Sequence, residues 1–266
     1  MVTLLTDVGW AYAAQMKGVL LRDLPSSRVV DLVHDLPAHG IEEAAFLVRS
    51  IGRQFPAGTI HVVVVDPGVG GRRRPVILQC GDGSCLVGPD NGVLSLLSDE
   101  LGGAHGFQID PARLRARPRV GATFDGRDLF APAAGRLARG DRPSQLGAPV
   151  QYRHLRLPRP RRTRAGASGT IVHIDHFGNL ITNLPGEWVP DRTRTLAVLR
   201  SGGRSVTVPF RDSYEEIGAG RAGALVSSFG TLELAVGRGR ADRRFRARVA
   251  QPVRVRWGAR GGRRRH

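Results

Sequence analysis

Thr59–Pro75 reads T-I-H-V-V-V-V-D-P-G-V-G-G-R-R-R-P, and this stretch constrains the fold most. Val62–Val65 is a continuous β-branched run, too short for a helix. Such a run reads as a strand buried on both faces, as in a parallel sheet. The strand ends at Asp66. Pro67-Gly68 breaks it, and Gly70-Gly71 lets the backbone turn back. A carboxylate at the carboxyl end of a buried strand stands where open α/β sheets place their ligands. Arg72–Arg74 would hold it ionised, because a nearby cation lowers a carboxylate pKa. The alternative is a plain turn with a capping aspartate and a solvated arginine run.

The elements around this strand repeat its logic. Val2–Leu5 is a short strand running into Thr6-Asp7. Residues 12–22 have helical spacing, with Tyr12, Met16, Val19 and Leu20 on one face. Arg28–Val33 is a strand ending in His34-Asp35. Ile41–Ile51 is a helix with Glu42 and Glu43 in its first turn, favourable against the helix dipole. The order β-α-β-α-β predicts a mostly parallel sheet flanked by helices over residues 1–150. Pro75–Cys80 and Cys85–Val87 read as a hairpin about Asp82-Gly83. Gly88–Gly92 turns into a helical Val93–Ser98, and Thr123–Asp128 precedes an apolar helix, Leu129–Leu137.

Residues 151–168 are rich in Pro and Arg and read as a linker. After them come the short β runs Thr170–Ile174, Thr195–Leu199, Val206–Pro209, Ala224–Val226, Leu232–Val236 and Val253–Trp257. They predict a smaller all-β, barrel-like domain over residues 169–257. Residues 258–266 read as a disordered basic tail.

No apolar run approaches the roughly 20 residues of a membrane span, and no signal peptide is visible. A cytoplasmic protein with two free thiols, Cys80 and Cys85, is expected. The formal net charge of +17 suggests a polyanionic partner. Against nucleic acid stands the usage behind that charge. Lys17 is the single lysine, so the arginines reflect a coding bias more than a binding face. The histidines lack metal-ligand spacing, so no metal is expected. Gly218–Gly223 fits G-x-G-x-x-G but leads into a strand, and so fails as a dinucleotide fingerprint.

What remains is a set of loop residues: Asp7, Asp66, Asp90-Asn91, Asp125 and Asp175-His176-Phe177-Gly178-Asn179. Asp7 can accept both hydroxyls of a ribose. Phe177 can stack on a purine, Asn179 can pair with a base edge, and Asp175 can hold an ammonium. Together they describe a site for a nucleoside joined to an amino acid. For Asp90 and Asn91 a turn role is the stronger reading.

Ordered motifs across residues 2–257 carry a resemblance. They are L-L-T-D-V-G (Leu4–Gly9), M-K-G-V (Met16–Val19), V-D-L-V-H-D-L-P (Val30–Pro37), I-E-E-A-A-F-L (Ile41–Leu47), the stretch Phe55–Gly70, V-G-P-D-N-G (Val87–Gly92), T-F-D-G-R-D-L-F-A-P (Thr123–Pro132), I-D-H-F-G-N-L-I-T-N (Ile174–Asn183) and S-S-F-G-T-L-E-L-A-V (Ser227–Val236). The chain resembles the S-adenosyl-L-methionine (SAM) hydroxide adenosyltransferase family, relatives of the SAM-dependent chlorinase and fluorinase. The resemblance implies a homotrimer with SAM held between the N-terminal domain of one copy and the C-terminal domain of its neighbour. It implies hydrolysis at ribose C5′ to adenosine and L-methionine, with SAM as substrate and no cofactor. It assigns Asp66, Arg73 and Asp125 to the water, with Asp125 standing where the family has histidine. Asp7 falls to the ribose, Phe124 to the substrate without a fixed moiety, Phe177, Asn179, Val236 and Arg238 to adenine, and Asp175 and Ser228 to the methionine end.

The sequence departs from the family elsewhere too. The loop after Gly9 is shorter, with Trp10 where an acidic residue would meet the ammonium. His39 replaces an aromatic residue, and Gly237 an asparagine. Three other readings stand beside hydrolysis: a non-catalytic adenosyl-binding protein, a SAM-dependent halogenase, and an arginine-rich nucleic-acid binder. Asp66 argues against the halogenase, since a carboxylate repels halide.

Overall fold

The computed structural model describes residues 1–258 except 25, 27, 115–120, 122, 192 and 200–204. The expected basic tail, beyond Gly258, lies outside the described residues. The chain divides into two compact units, Met1–Arg156 and Leu157–His266.

In the first unit the elements are β1 (Val2–Thr6), α1 (Trp10–Asp23), β2 (Val29–Val33), α2 (Ile41–Gly52), β3 (Ile60–Val64), β4 (Pro75–Cys80), β5 (Cys85–Pro89), α3 (Ser95–Glu100), β6 (Ala104–Ile109), α4 (Ala131–Ala138), α5 (Pro143–Leu146) and β7 (Gly147–Pro149). One sheet runs in the order β2-β1-β3-β5-β4-β6-β7. The pairs β1–β2, β1–β3 and β3–β5 are parallel, whereas β4–β5, β4–β6 and β6–β7 are antiparallel. The mostly parallel sheet read from the sequence is therefore corrected to a mixed one. The Asp82-Gly83 turn is the cause, because strands joined by a tight hairpin must run antiparallel. Once β5 joins the parallel block, β4 returns against it, and β6 and β7 continue the alternation.

Val2 and Leu4 of β1 and Ile60, Val62 and Val64 of β3 share one buried face. Met16 and Leu20 of α1 and Ala131, Ala134 and Phe130 pack against them. Met16 and Leu20, four apart, present one stripe of α1 to the sheet. The parallel strands all deliver their carboxyl ends to one edge, with Thr6 in register with Val64.

The second unit contains β8 (Arg161–Thr163), β9 (Gly166–Ile174), β10 (Leu180–Pro185), β11 (Thr195–Leu199), β12 (Ser205–Pro209), β13 (Ala222–Val226), β14 (Thr231–Val236), α6 (Ala241–Phe245) and β15 (Pro252–Gly258). Its sheet runs β12-β11-β15-β9-β10-β14-β13, with β8 paired to β9. A bridge between Phe210 and Ala224 brings the two ends together, so the sheet nearly closes into the expected barrel-like form. Ile171, Leu180, Leu196, Leu232, Leu234, Val253 and Val255 fill its interior. β8 and the start of β9 fall within the stretch read as a linker. A fully exposed, arginine-bearing strand has no apolar alternation to betray it, and such strands belong at sheet edges.

Candidate active site

Asp66 follows directly on β3, and the loop after it folds back through hydrogen bonds from Val69 N–H to the Asp66 carbonyl and from Gly71 N–H to the Gly68 carbonyl. This return lays Arg73 across Asp66. Arg73 Nε donates to both carboxylate oxygens at 3.0 and 2.9 Å, and Nη2 to Oδ2 at 2.5 Å. The same Nη2 also donates to Asp125 Oδ2. Asp125 lies just before a five-residue π-helical turn, Gly126–Phe130. The Phe130 ring of that turn lies 5.5 Å below the guanidinium. The three side chains are only 5%, 10% and 4% exposed, in the order Asp66, Arg73, Asp125. Burial opposes the charge of Arg73, but its hydrogen bonds and ion pairs with the two carboxylates outweigh it and raise its pKa above the ordinary arginine value. The cluster sets two carboxylates beside one guanidinium, and their oxygens are suited to accept hydrogen bonds from a water.

Both ends of the loop are pinned by one neighbouring turn. Asn91 Nδ2 donates to the Val65 carbonyl at 2.8 Å, beside Asp66. Asp90 accepts from Arg74 Nε at 2.9 Å and from Arg153 N–H at 2.7 Å. Asn91 Oδ1 also accepts Val93 N–H at 3.1 Å. The turn role read for Asp90-Asn91 holds, and that turn braces the site. One expectation about the arginines is narrowed. Of the run Arg72–Arg74, Arg73 alone reaches Asp66, because Arg74 is drawn to Asp90. Arg127 pairs with adjacent Asp128 at 2.7 Å.

Asp7 ends β1 beside the end of β3, with its N–H directed to the Val64 carbonyl at 3.3 Å. One of its carboxylate oxygens accepts His39 N–H at 2.9 Å. Asp7 and Asp66 thus stand at the ends of adjacent parallel strands. Phe124 packs edge-on to Tyr12, centroids 5.2 Å apart, with Arg127 over its face at 5.6 Å. The matching motifs M-K-G-V and V-D-L-V-H serve structure: Lys17 pairs with Asp31, and Asp31 also accepts from buried His34. Burial works against the Asp31 charge, but these two partners hold its pKa below the usual value. Among the described residues, no cluster of three or more His, Cys, Asp or Glu is placed to bind a metal.

The second unit holds a cavity of about 1040 Å³, lined by Asp175, Phe177, Asn179, Tyr214, Ser228, Val236 and Arg238 among others. Its size suits a ligand larger than an amino acid. The β9–β10 turn builds one wall, where Asp175 accepts Asn179 N–H at 2.8 Å and Asn179 Nδ2 at 3.0 Å. Phe177 is 71% exposed at the rim, which leaves its ring face open to a planar ligand. Gly237 is fixed by its N–H to the Arg221 carbonyl at 3.0 Å, and this shapes the turn that carries Arg238. All six residues read from the sequence for adenine and methionine therefore line one cavity. Sequence reading missed Tyr214 and, beneath it, Glu233. The signal for Glu233 was a charge inside the apolar run T-L-E-L-A-V.

The chain matches the model of the SAM hydroxide adenosyltransferase N-terminal domain over residues 2–147 and that of the C-terminal domain over residues 169–254. It is 36% identical over 245 residues to the (R)-S-adenosyl-L-methionine hydrolase of Salinispora tropica, covering 90% of this chain and 91% of that protein. It is likewise 36% identical over 263 residues to the hydrolase of that name from Thermus thermophilus, covering 96% and 98%. A fluorinase from an Actinoplanes species is 27% identical over 213 residues, covering 69% and 71%. Among solved structures, an uncharacterized conserved protein from Thermotoga maritima superposes with a TM-score of 0.88 at 28% identity, covering 96% of this chain and 99% of that one. With both of its units matched by the two domain models, this chain belongs to the SAM hydroxide adenosyltransferase family.

Proposed function

We propose that this protein hydrolyses SAM to adenosine and L-methionine by substitution of water at ribose C5′. The carrying observation is the buried Asp66–Arg73–Asp125 cluster. The sulfonium makes methionine a good leaving group, so no acid has to protonate it. The water oxygen bonds to C5′ as the C5′–S bond breaks, and that electron pair stays on sulfur. The proton shed by the attacking water passes to Asp66 or Asp125 and then to solvent. Arg73 fixes both carboxylates, so the water meets a rigid pair of acceptors, and orientation is where most of the rate gain is available. In this reading Asp7 receives the ribose and Phe124 contacts the substrate. Phe177, Asn179, Val236 and Arg238 receive adenine, and Asp175 and Ser228 the methionine end. SAM is the substrate and no cofactor takes part. The protein works in the cytoplasm as a homotrimer, the assembly the resemblance implies.

A halide would meet two carboxylates here, and the repulsion disfavours halogenation. A second reading, a non-catalytic SAM or adenosine binder, is favoured by one observation: Asp125 replaces the family histidine. One experiment separates these. The purified protein is incubated with SAM, with and without chloride, and the nucleosides are separated by chromatography. Adenosine formed independently of chloride is the expected result. Asp66→Asn should keep SAM affinity and lose about 10²–10⁴-fold in turnover, the usual range for a lost acid–base group. Full turnover in that variant overturns the role given to Asp66. No product, with SAM bound to the purified chain, moves the protein to the binding class.

A further inference from the structure

Glu233 lies in the middle of β14, between Ile181 of β10 and Leu225 of β13. Side chains alternate across a strand. Leu232, Leu234 and Val236 face the barrel interior, whereas Ala235 joins Ile217 and Leu225 on the opposite face. Glu233 shares that second face and is 2% exposed. Its carboxylate accepts the Tyr214 hydroxyl at 2.8 Å, and Tyr214 lines the cavity with Asp175. A carboxylate at such a depth is costly unless it serves something.

We propose that Glu233 is a specificity-determining positioning residue of this cavity. Its buried carboxylate fixes the Tyr214 wall, and its charge favours a cationic sulfonium ligand over the neutral nucleoside left after reaction. The proposal rests on the reading that the cavity takes SAM.

The electrostatics carry the argument. Among the described residues neither Asp175 nor Glu233 makes a salt bridge. Arg238 and Arg240 also line the cavity; Arg240 is held by Asp242 at 2.9 Å while also feeling the charge of Asp175. Asp175 lines the cavity, Glu233 stands directly behind its Tyr214 wall, and Asp175 is the charged side chain whose field reaches Glu233. Burial, with a further push from Asp175, raises the Glu233 pKa to about 7 in spite of the Tyr214 hydrogen bond. Burial first, then the hydrogen bond and charge of Glu233, with Asp175 adding to them, push the Tyr214 phenol upward. His173 shares the cross-strand row through Ile181, Ile181 and Leu225 flank Glu233 on the adjacent strands, and Glu215, next to Tyr214, adds a further carboxylate to the cavity lining. A bound cation relieves the repulsion and favours ionised Glu233. SAM binding therefore expels a proton near pH 7, and adenosine binding does not.

The test uses the full chain carrying Asp66→Asn, so that SAM stays intact, with and without Glu233→Gln. Affinities for SAM and for adenosine are measured by calorimetry from pH 6 to 7.5. This window lies below the ordinary range of the ligand's own α-amino group, about 7.7–8.0. The Glu233-containing protein should bind SAM about 3–10-fold more tightly at pH 7.5 than at pH 6, as expected for one linked proton. Glu233→Gln, which keeps an acceptor for Tyr214, should flatten that rise and leave adenosine affinity within about 2-fold, since a neutral ligand gains little from the charge. Tyr214→Phe keeps the carboxylate, so it should weaken both ligands while retaining the pH dependence for SAM. An unchanged SAM profile in Glu233→Gln overturns the proposal, as does an equal loss for both ligands. Adenosine binding without SAM binding at any pH overturns the reading of the cavity itself and this proposal with it.

Discussion

At the scale of single residues, the site turns on one guanidinium shared by two buried carboxylates. Removing one partner of a buried ion pair costs about 3–5 kcal/mol, because the other charge is left without compensation. Arg73→Met leaves the buried Asp66 carboxylate without this cation and takes one partner from buried Asp125. The variant should lose stability in that range and lose turnover. Its stability should recover as the pH falls, since protonation relieves a buried carboxylate that has lost its cation. Thermal melting at pH 5 and pH 7.5 checks this. A variant that melts no lower than the parent at pH 7.5 would show that Arg73 does not hold the cluster. The cluster itself was legible in the sequence, because V-D-P-G-V-G-G-R-R-R ends a strand and turns back within a few residues. Which arginine meets which acid was not. The side chain of Arg127 bends to its neighbour Asp128, and Arg74 is claimed by Asp90, a residue far along the chain that no local pattern couples to it.

Among the elements, the strands announced themselves and their pairing did not. β1 to β3 were readable as apolar runs ending in Asp or His-Asp, and the β4–β5 hairpin from its turn. The antiparallel half of the sheet escaped because β6 and β7 lack strong alternation. The π-helical turn Gly126–Phe130 escaped because a single widened turn leaves no periodic signature. V-G-P-D-N-G read as a turn, and its first glycine answers to packing. A Cβ on Gly88 would stand 2.3 Å from the Val63 carbonyl oxygen, a backbone atom of β3 that cannot move aside. Gly88→Ala should therefore cost roughly 1–3 kcal/mol as an overpacked contact. It should also disturb activity, since β5 leads directly to the Asp90-Asn91 brace. Denaturant melts paired with the SAM assay check both effects, and an unchanged midpoint would refute the close approach.

Across the whole molecule, two buried groups, one in each unit, carry opposite pH dependences. In the first, His61 of β3 is 1% exposed and shares a 2.8 Å hydrogen bond with Thr3 of β1. Burial lowers its pKa to about 4, against a weaker pull upward from Asp82. As pH falls from 6.5 to 4 the unfolded chain takes up a proton that the folded chain refuses. The first unit therefore loses up to about 3 kcal/mol over that window. In the second unit Glu233 acts the other way. Its folded pKa is raised to about 7, so its stabilising contribution is present below pH 4.5 and is lost as pH rises through 7. Between pH 4.5 and 6.5 the two trends oppose each other, and the parent protein should show a muted slope arising from separate sources. Each variant unmasks the other's trend. His61→Asn should leave stability falling as pH rises, and Glu233→Gln should leave it rising. Calorimetric melts of the three proteins from pH 4 to 7.5 make the comparison. Parallel curves for all three would mean that neither group is linked to folding, and the burial of both would then need another explanation.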